Sequence, residues 1–263
     1  MSAVGERVLA VRLFESMRAA GCYGQDAMSE IESVLARKLN TFITLSADEL
    51  QRLAELQGTP QRIKRGKQLI REGQAGSEAF ILQAGWACSY KDLASGGRQI
   101  ISFPIAGDFV GVRSMLLKTA DHSFEALTDA VVSSVDSASI LQTFSEFPRL
   151  GAAILWAASR DEAMVVEHLV SVGRRSAIER TAHFFMELGE RLTFVGLNAQ
   201  AEFECPLTQY VLADALGLSA IHINRVLREL REINLLTMQH GTVTIHDLKG
   251  LRELSGFQGG YMQ

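Results

Sequence analysis

The sequence predicts an α+β protein in which a β-rich N-terminal part is followed by one long helix and then by a group of short helices. Three observations predict this order. Short apolar runs punctuated by glycine occur between residues 62 and 140, as in a set of short strands. An apolar seam with helical spacing runs from Leu155 to Val172. Two short helical patterns and two alternating strands then lie between Thr208 and Ile245.

The composition is that of a globular protein with room for two domains, since 47% of the 263 residues are hydrophobic and 21% are charged. No apolar window has the ~18–20 residues of a membrane span, and the N-terminus lacks a signal-peptide layout, so we expect a cytoplasmic protein. The three distant cysteines, Cys22, Cys88 and Cys205, indicate neither a disulfide framework nor a metal site. The net charge of −4 means that any contact with nucleic acid must be local.

The N-terminal elements are two helices. The first 27 residues predict an appended amphipathic helix, because apolar residues such as Val8 and Val11 alternate with charged ones. A second helix is expected from Ala47 to Leu56, because Ser46 and Glu49 have the spacing of a capping box that satisfies two amides at a helix start.

The β-rich part carries glycines at intervals that suit turns between many strands, as in a sandwich or barrel rather than a parallel sheet. Gly96-Gly97 is the best candidate for a hairpin turn. From Pro148 to about Val172 the pattern becomes helical, and we place a domain boundary near Gly173. On this helix an apolar seam, interrupted by the charged Glu162, steps by three and four residues: Leu155, Ala158, Glu162, Val165, Leu169 and Val172. Its periodicity supports packing within the domain and self-association equally well.

The stretch from Cys205 to Ile233 predicts two short helices joined by a tight turn, a helix-turn-helix. Thr208 can cap the first helix, Gly217 supplies the positive φ of the turn, and Ser219 can cap the second helix. Residues 235–245 then form two alternating strands around His240-Gly241, which predicts a β-hairpin wing. A winged helix-turn-helix results, with a small protein-interaction domain as the alternative.

The second helix fits a DNA major groove, where its outer side chains reach base edges or phosphates. Arg225 is the best candidate for reading bases. Arg228 and Arg231 are either phosphate contacts or part of a solvated face paired with Glu229 and Glu232. The predicted DNA-binding residues are Thr208, Gln209, Ser219, Ala220, Ile221, His222, Asn224, Arg225 and Arg228.

Taken together, these segments resemble the Crp/Fnr family of bacterial transcription regulators. The resemblance covers about residues 35–254 and rests on these pieces: Arg37-Lys38-Leu39 with Leu45-Ser46, Ile70-x-Glu72-Gly73, Phe80-Ile81-Leu82-x-x-Gly85, Gly107-Asp108-Phe109-Val110-Gly111, Gly173-Arg174-Arg175-Ser176-Ala177-x-Glu179-Arg180 and the helix-turn-helix. After the extension over 1–27, it implies three segments: a cyclic-nucleotide-binding-like antiparallel β-roll sensor over 28–147, a dimerisation helix over 148–172 and a winged helix-turn-helix over 173–263.

The resemblance also locates an effector pocket at Gly111, Val112, Arg113, His122 and Ser123. Members that bind cyclic AMP have glutamate and arginine where this chain has Val112 and His122. Valine cannot accept the hydrogen bond of a sugar hydroxyl, and neutral histidine lacks the guanidinium fork, so we expect no cyclic AMP binding. Arg113 could replace the phosphate partner, but it would point to the other face if the segment is extended.

We expect no cofactor and no metal. Cys22 alone cannot hold the iron–sulfur cluster of one branch of the family, and no family position for a haem ligand is matched. In the recognition helix the family often carries a glutamate and an arginine four residues apart. Ile221 and Arg225 occupy those places, so the resemblance implies an altered target sequence.

The sequence therefore predicts a homodimeric, sequence-specific DNA-binding transcription regulator that reads a palindromic operator. RNA polymerase and an unknown small-molecule effector are the further partners that the resemblance implies. The alternative is a ligand-binding or adaptor protein whose C-terminal domain binds protein. An enzyme is not predicted, because the sequence shows no nucleophile–base pair, metal-ligand spacing or phosphate-binding glycine loop.

Overall fold

The described chain begins with helix α1, Val34–Asn40, and helix α2, Ala47–Gln57. The computed structural model describes residues 33–76, 78–198 and 201–262, so the predicted helix within the first 27 residues lies outside them. At the start of α2, the Ser46 hydroxyl accepts from the Glu49 amide at 3.3 Å and the Glu49 carboxylate accepts from the Ser46 amide at 2.7 Å. The predicted capping box is present.

Eight strands follow and form two antiparallel sheets of four strands each. Their bounds are β1 Gln61–Ile63, β2 Gln68–Ile70, β3 Ala79–Ala84, β4 Ala87–Asp92, β5 Arg98–Ser102, β6 Phe109–Val110, β7 Ser123–Ala126 and β8 Ala130–Val135. The strand orders are β1-β8-β3-β6 and β2-β7-β4-β5. At the predicted hairpin turn between β4 and β5, Gly96 has a φ of +86° and the Leu93 amide donates to the Gly97 carbonyl. The predicted antiparallel β-rich fold is confirmed.

Three further helices are present: the first lies between β6 and β7, and the other two connect the sheets to the C-terminal part. Helix α3 is Val112–Leu116, helix α4 is Ser137–Glu146, and the long helix α5 is Pro148–Arg174. Helix α5 continues through Gly173, because a glycine within a helix costs only about 1 kcal/mol relative to alanine. The helix ends one residue later, at Arg174. Among the described residues no helix combines the length and apolar character that crossing a bilayer requires.

The two faces of α5 differ. Leu150, Ala153, Ile154 and Ala157 are buried in a cluster with apolar residues of α1 and α2. On the opposite side, the predicted seam faces outward, with Leu155 and Leu169 exposed by 59% and 71%. Helix α5 therefore packs within its own chain by one face and leaves the seam free.

The C-terminal part begins with α6, Ala177–Phe194, whose residues Ala182, Phe185, Met186 and Leu188 are buried. The remaining elements are β9 Glu202–Glu204, α7 Gln209–Leu216, α8 Ala220–Glu232, β10 Leu236–Gln239, β11 Thr242–Ile245 and α9 Leu248–Ser255. Strands β10, β11 and β9 form a three-stranded antiparallel sheet. The sequence did not predict β9, which is too short for a recognisable alternation.

A buried ion cluster joins the sheets to the C-terminal part. The Asp108 carboxylate accepts from Lys38 Nζ at 2.6 Å and from Arg191 Nη2 at 2.8 Å. Burial by itself raises the pKa of Asp108, but the two cations outweigh burial and hold this pKa at about 2. Since an unpaired buried charge costs about 3–5 kcal/mol, this cluster fixes α1, the β-roll and α6 against one another.

Candidate nucleic-acid interface

Both helices of the helix-turn-helix begin, and the first of them ends, at the residues that the sequence singles out. The Thr208 hydroxyl accepts from the Val211 amide at 3.3 Å at the start of α7. Gly217 ends α7 in the left-handed conformation with a φ of +64°, and the Ser219 hydroxyl accepts from the His222 amide at 3.2 Å. These local bonds set the angle at which α8 leaves the turn.

Helix α8 has one apolar face and one outward face. Ile223, Val226 and Leu230 are almost completely buried, whereas Ile221 on the opposite side is 85% exposed. Of the predicted DNA-binding residues, seven are exposed and two are half-buried. The exposed ones are Thr208, Gln209, Ser219, Ile221, Asn224, Arg225 and Arg228, and the half-buried ones are Ala220 and His222.

The polar groups on this outward face differ in their partners. Within the described residues, neither Asn224 nor Arg225 makes a side-chain hydrogen bond or ion pair. Arg228 Nε lies 3.8 Å from a carboxylate oxygen of Glu232, and both side chains are more than half exposed. Such a pair contributes little, so Arg228 can exchange Glu232 for another anion at small cost.

A groove runs between the start of α7, the outward face of α8 and strand β10. It is lined by Gln209, Asn224, Leu227, Arg228, Arg231, Thr237 and Met238. For Arg231 the sequence leaves phosphate contact and a solvated face open, and Thr237 is not among the predicted DNA-binding residues. Only the pairing of β10 brings Thr237 beside α8, and its hydroxyl lies 2.8 Å from His246 Nε2. The groove thus carries two arginines and several hydrogen-bonding groups, next to the outward face of α8.

The predicted wing is present next to this groove. Leu236 pairs with Ile245 and Gln239 pairs with Thr242 across the hairpin. His240 and Gly241 both have positive φ, at 50° and 77°, which is the conformation of a two-residue type I′ turn.

The residues of the predicted effector pocket are tied to neighbouring groups. Arg113 forms an ion pair with Asp121, and the His122 Nδ1 lies 2.8 Å from the other oxygen of the same carboxylate. The Ser123 hydroxyl accepts from the Glu72 amide at 3.0 Å. Arg113 lies on helix α3 and not on an extended segment, so the condition under which its side chain would point to the other face is not met. A five-residue helix is too short to show a helical period in the sequence.

Packing around the predicted effector pocket limits the space at Gly111 and shifts the pKa values of His122 and Asp121. Gly111 has a φ of +79°, and a Cβ at this position would collide with Ile70. Val112 is half-buried against the cluster formed by α1, α2 and α5. Burial lowers the pKa of His122, against the opposing effect of Asp121. Burial raises the pKa of Asp121, but His122 and Arg113 together bring it below its ordinary value.

The third predicted set, the seam on α5, is brought to one surface. Leu155, Ala158, Glu162, Val165 and Leu169 are exposed, and Val172 is half-buried. Val166 and Val170 extend this exposed apolar strip.

Among the described residues no group of three or more histidine, cysteine or acidic side chains is placed to hold a metal ion.

Comparison with known proteins identifies the two halves. Residues 60–147 match the family model of the cyclic nucleotide-binding domain, and residues 179–254 match that of the Crp-like helix-turn-helix domain. The two models together cover more than half of the chain. The chain belongs to the Crp/Fnr family. The resemblance seen in the sequence is therefore confirmed.

Relatives within the Crp/Fnr family share modest identity over most of their length. The chain is 28% identical to the "Anaerobic regulatory protein" of Haemophilus influenzae, over 81% of this chain and 82% of that protein. It is 26% identical to the "Nitrogen fixation regulation protein FixK" of Rhizobium meliloti, over 73% and 84% respectively. The structure of FixK2 from Bradyrhizobium japonicum has the same fold, with a TM-score of 0.68 and 22% identity over 76% of this chain and 98% of that chain. This Crp/Fnr protein is a transcription regulator and not an enzyme.

Proposed function

We propose that this regulator binds DNA as a homodimer and places the α8 helices of its two chains in successive major grooves of a palindromic operator. The observation that carries the proposal is the outward face of α8. Its caps are satisfied, its apolar face is buried, and Asn224 and Arg225 are exposed without a partner in the described part of the chain. A helix of this width fits the major groove, where the edges of bases offer the missing hydrogen-bond partners.

The roles of the side chains follow from their chemistry and position. Arg225 can place its two parallel N–H groups on O6 and N7 of guanine, and Ile221 can contact a thymine methyl group. Thr208, Gln209 and Arg228 lie where the backbone of the same groove passes, so they position the helix on phosphates without reading sequence. Ser219, Ala220 and His222 form the first turn of α8, which approaches the bases most closely.

The apolar seam on α5 supports the dimer. Leu155, Val165, Leu169 and Val170 are each 39% or more exposed, and they lie along one side of a 27-residue helix. A second copy of α5 would remove this strip from water, at about 25 cal/mol for each Å² covered. Two-fold symmetry of the protein then matches the two-fold symmetry of the operator.

The proposal includes no response to cyclic AMP. The arginine and the histidine of the pocket share one carboxylate, Asp121, and the serine hydroxyl is occupied by the Glu72 amide. A cyclic phosphate would have to displace Asp121, which carries the same sign of charge. RNA polymerase is the further partner that transcription regulation implies.

The test is selection of bound sequences from a random DNA pool by the purified protein at two salt concentrations, with and without cyclic AMP. We expect a palindromic motif whose half-sites lie about one helical turn apart, identical in both arms, and binding that weakens steeply with salt. Absence of any enrichment at low salt, also with a metabolite extract added, would contradict DNA binding. A motif that requires cyclic AMP would contradict the proposed pocket.

Two matched variants test the dimer in the same selection. Leu169→Glu places a charge in the seam, and Leu141→Glu makes the same change at a leucine on α4 that is nearly as exposed, 67% against 71%. We expect Leu169→Glu to be monomeric in sedimentation and to lose the palindrome, while Leu141→Glu keeps both properties. Equal behaviour of the two variants would place the dimer contact elsewhere.

A further inference from the structure

The β-roll touches the helix-turn-helix directly, through strand β5 and helix α7. Arg98 Nε donates to the Asp214 carboxylate at 2.8 Å. The Gln99 side-chain amide donates to the Ala215 carbonyl at 2.9 Å. Both pairs join residues that are 116 positions apart in the sequence. This contact connects the two halves at a place separate from the junction of α5 and α6.

The contact lies at the C-terminal end of α7, where a helix leaves carbonyl groups without partners. Gln99 takes the Ala215 carbonyl, and Arg180 donates to the neighbouring Leu216 carbonyl. Arg180 also donates to the Val172 carbonyl at the end of α5, at 2.9 Å. Helix α7 is therefore held from the β-roll on one side and from the junction of α5 and α6 on the other.

The docked arrangement leaves the DNA-facing surface uncovered. The contact uses the last turn of α7, whereas Thr208 and Gln209 at its first turn are exposed, as is the outward face of α8. Holding a helix in its bound orientation lowers the entropy lost on binding. From this geometry we infer that Arg98 and Gln99 are positioning residues, which orient the helix-turn-helix for DNA. This inference rests on the proposed DNA-binding function.

Strand β5 and its neighbour β4 also reach the predicted effector pocket. The Arg98 guanidinium lies over the ring of Tyr90, 5.4 Å from its centre. The Tyr90 hydroxyl accepts from Gln68 at 3.1 Å, and Tyr90 is the register partner of Ser123 across strands β4 and β7. One aromatic side chain thus separates a pocket residue from the arginine that holds α7, so a change at Ser123 has a short path to the helix-turn-helix.

The experiment is a charge exchange between Arg98 and Asp214, read out as the Kd for the selected operator. We expect Arg98→Asp and Asp214→Arg each to weaken binding about fivefold, because a partly exposed pair contributes up to about 1 kcal/mol, and the double variant to recover most of the loss. Arg98→Lys, which keeps the charge, should lose less than Arg98→Asp. Gln99→Ala removes the side-chain bonds to the carbonyls of Ala215 and Ile100, of which only the first reaches α7, and should weaken binding about twofold.

The control is Lys64→Asp. Lys64 pairs with Asp129 at 2.7 Å in exposed turns of the β-roll, so the variant makes the same change of charge without touching α7. Operator affinity should stay within twofold of the unmodified chain. An equal loss in Lys64→Asp and Arg98→Asp would show that net charge alone acts and would overturn the inference.

A second readout needs no DNA. Hydrogen exchange of amides in residues 209–217 should become faster in Arg98→Asp and return toward the original rate in the double variant, because docking protects α7 from opening. Unchanged exchange in Arg98→Asp, or operator binding as tight as or tighter than that of the unmodified chain, would overturn the inference. If the unmodified chain binds no DNA while exchange follows the pair, the proposed function fails and the docking of α7 stands.

Discussion

Arg225 on α8 and Arg113 on α3 are both exposed arginines in regions that the sequence marks as candidate sites, yet their surroundings differ. Arg113 forms an ion pair with Asp121, which also holds His122. Arg225 has no hydrogen-bond or ion-pair partner within the described residues. A surface that binds an external anion keeps its donors free, whereas the β-roll pocket has satisfied its donors from within. From this comparison we expect DNA contact at the first surface and an internal structural role for the second.

The largest effect should come from removing the unpaired guanidinium. Arg225→Ala should lower affinity for the selected operator by about 10–100-fold, because a bidentate contact to guanine contributes about 1–3 kcal/mol. Affinity for a scrambled duplex should fall much less. Fluorescence anisotropy with the two duplexes measures both values.

Arg228→Ala is the control for this change, since it removes the same side chain one turn further along α8. It should weaken both duplexes alike and reduce the slope of log K against log salt by about one. Identical behaviour of the two variants would contradict the separation of base-reading and phosphate-contacting roles.

A smaller effect, of a different kind, is expected at the paired arginine. Arg113→Ala should lower the free energy of unfolding by at most about 1 kcal/mol, because the side chains of Arg113 and Asp121 are 67% and 33% exposed. Operator affinity should not change. Urea denaturation and anisotropy on the same preparation measure the two quantities. A tenfold loss of DNA affinity would contradict the internal role of Arg113.

The smallest effect should appear on acidification of the pocket. The pKa of His122 in the folded chain is lowered by burial, so the unfolded chain binds this proton first and stability falls as pH drops below about 6.5. The pKa of Asp121 is also lowered, so its contribution is present above its ordinary value of 3.8 and is lost only at lower pH. His122→Gln should therefore lose less stability between pH 7 and pH 5 in urea denaturation.

His183 sets the background in that experiment. Burial lowers its pKa to about 4, so it also makes stability fall over the same pH range. Because His183 is present in both proteins, the difference between them reports His122 alone. An equal loss of stability in the two proteins would show that His122 is protonated equally easily when folded and unfolded.

The features that the sequence predicts correctly are local ones. Thr208 and Ser219 each cap an amide three residues away, and Ser46 with Glu49 does the same at α2. A short window of sequence contains both partners of each interaction, so residue type and spacing are sufficient. The apolar period of α8 likewise separates its buried face from its outward face within thirteen residues.

The features that the sequence does not predict are pairings between distant residues. With 26 basic and 30 acidic residues, nothing in the sequence selects Asp214 as the partner of Arg98, or Arg191 as that of Asp108. The same limit applies to Thr237, which reaches the groove only through the fold of the wing. Family resemblance locates the pocket, but its internal pairing through Asp121 depends on helix α3, which has only five residues.

The buried cluster around Asp108 constrains how this chain can evolve. The β-roll and the helix-turn-helix match two separate family models. Parts that match separate models are modules that recombination could exchange. Yet Lys38, Asp108 and Arg191 lie in three segments of the chain and are buried together. A chimera that takes the C-terminal part from another regulator inherits a buried carboxylate without its second cation, unless the incoming helix carries one at the same place. The two modules of this regulator are therefore expected to be inherited together.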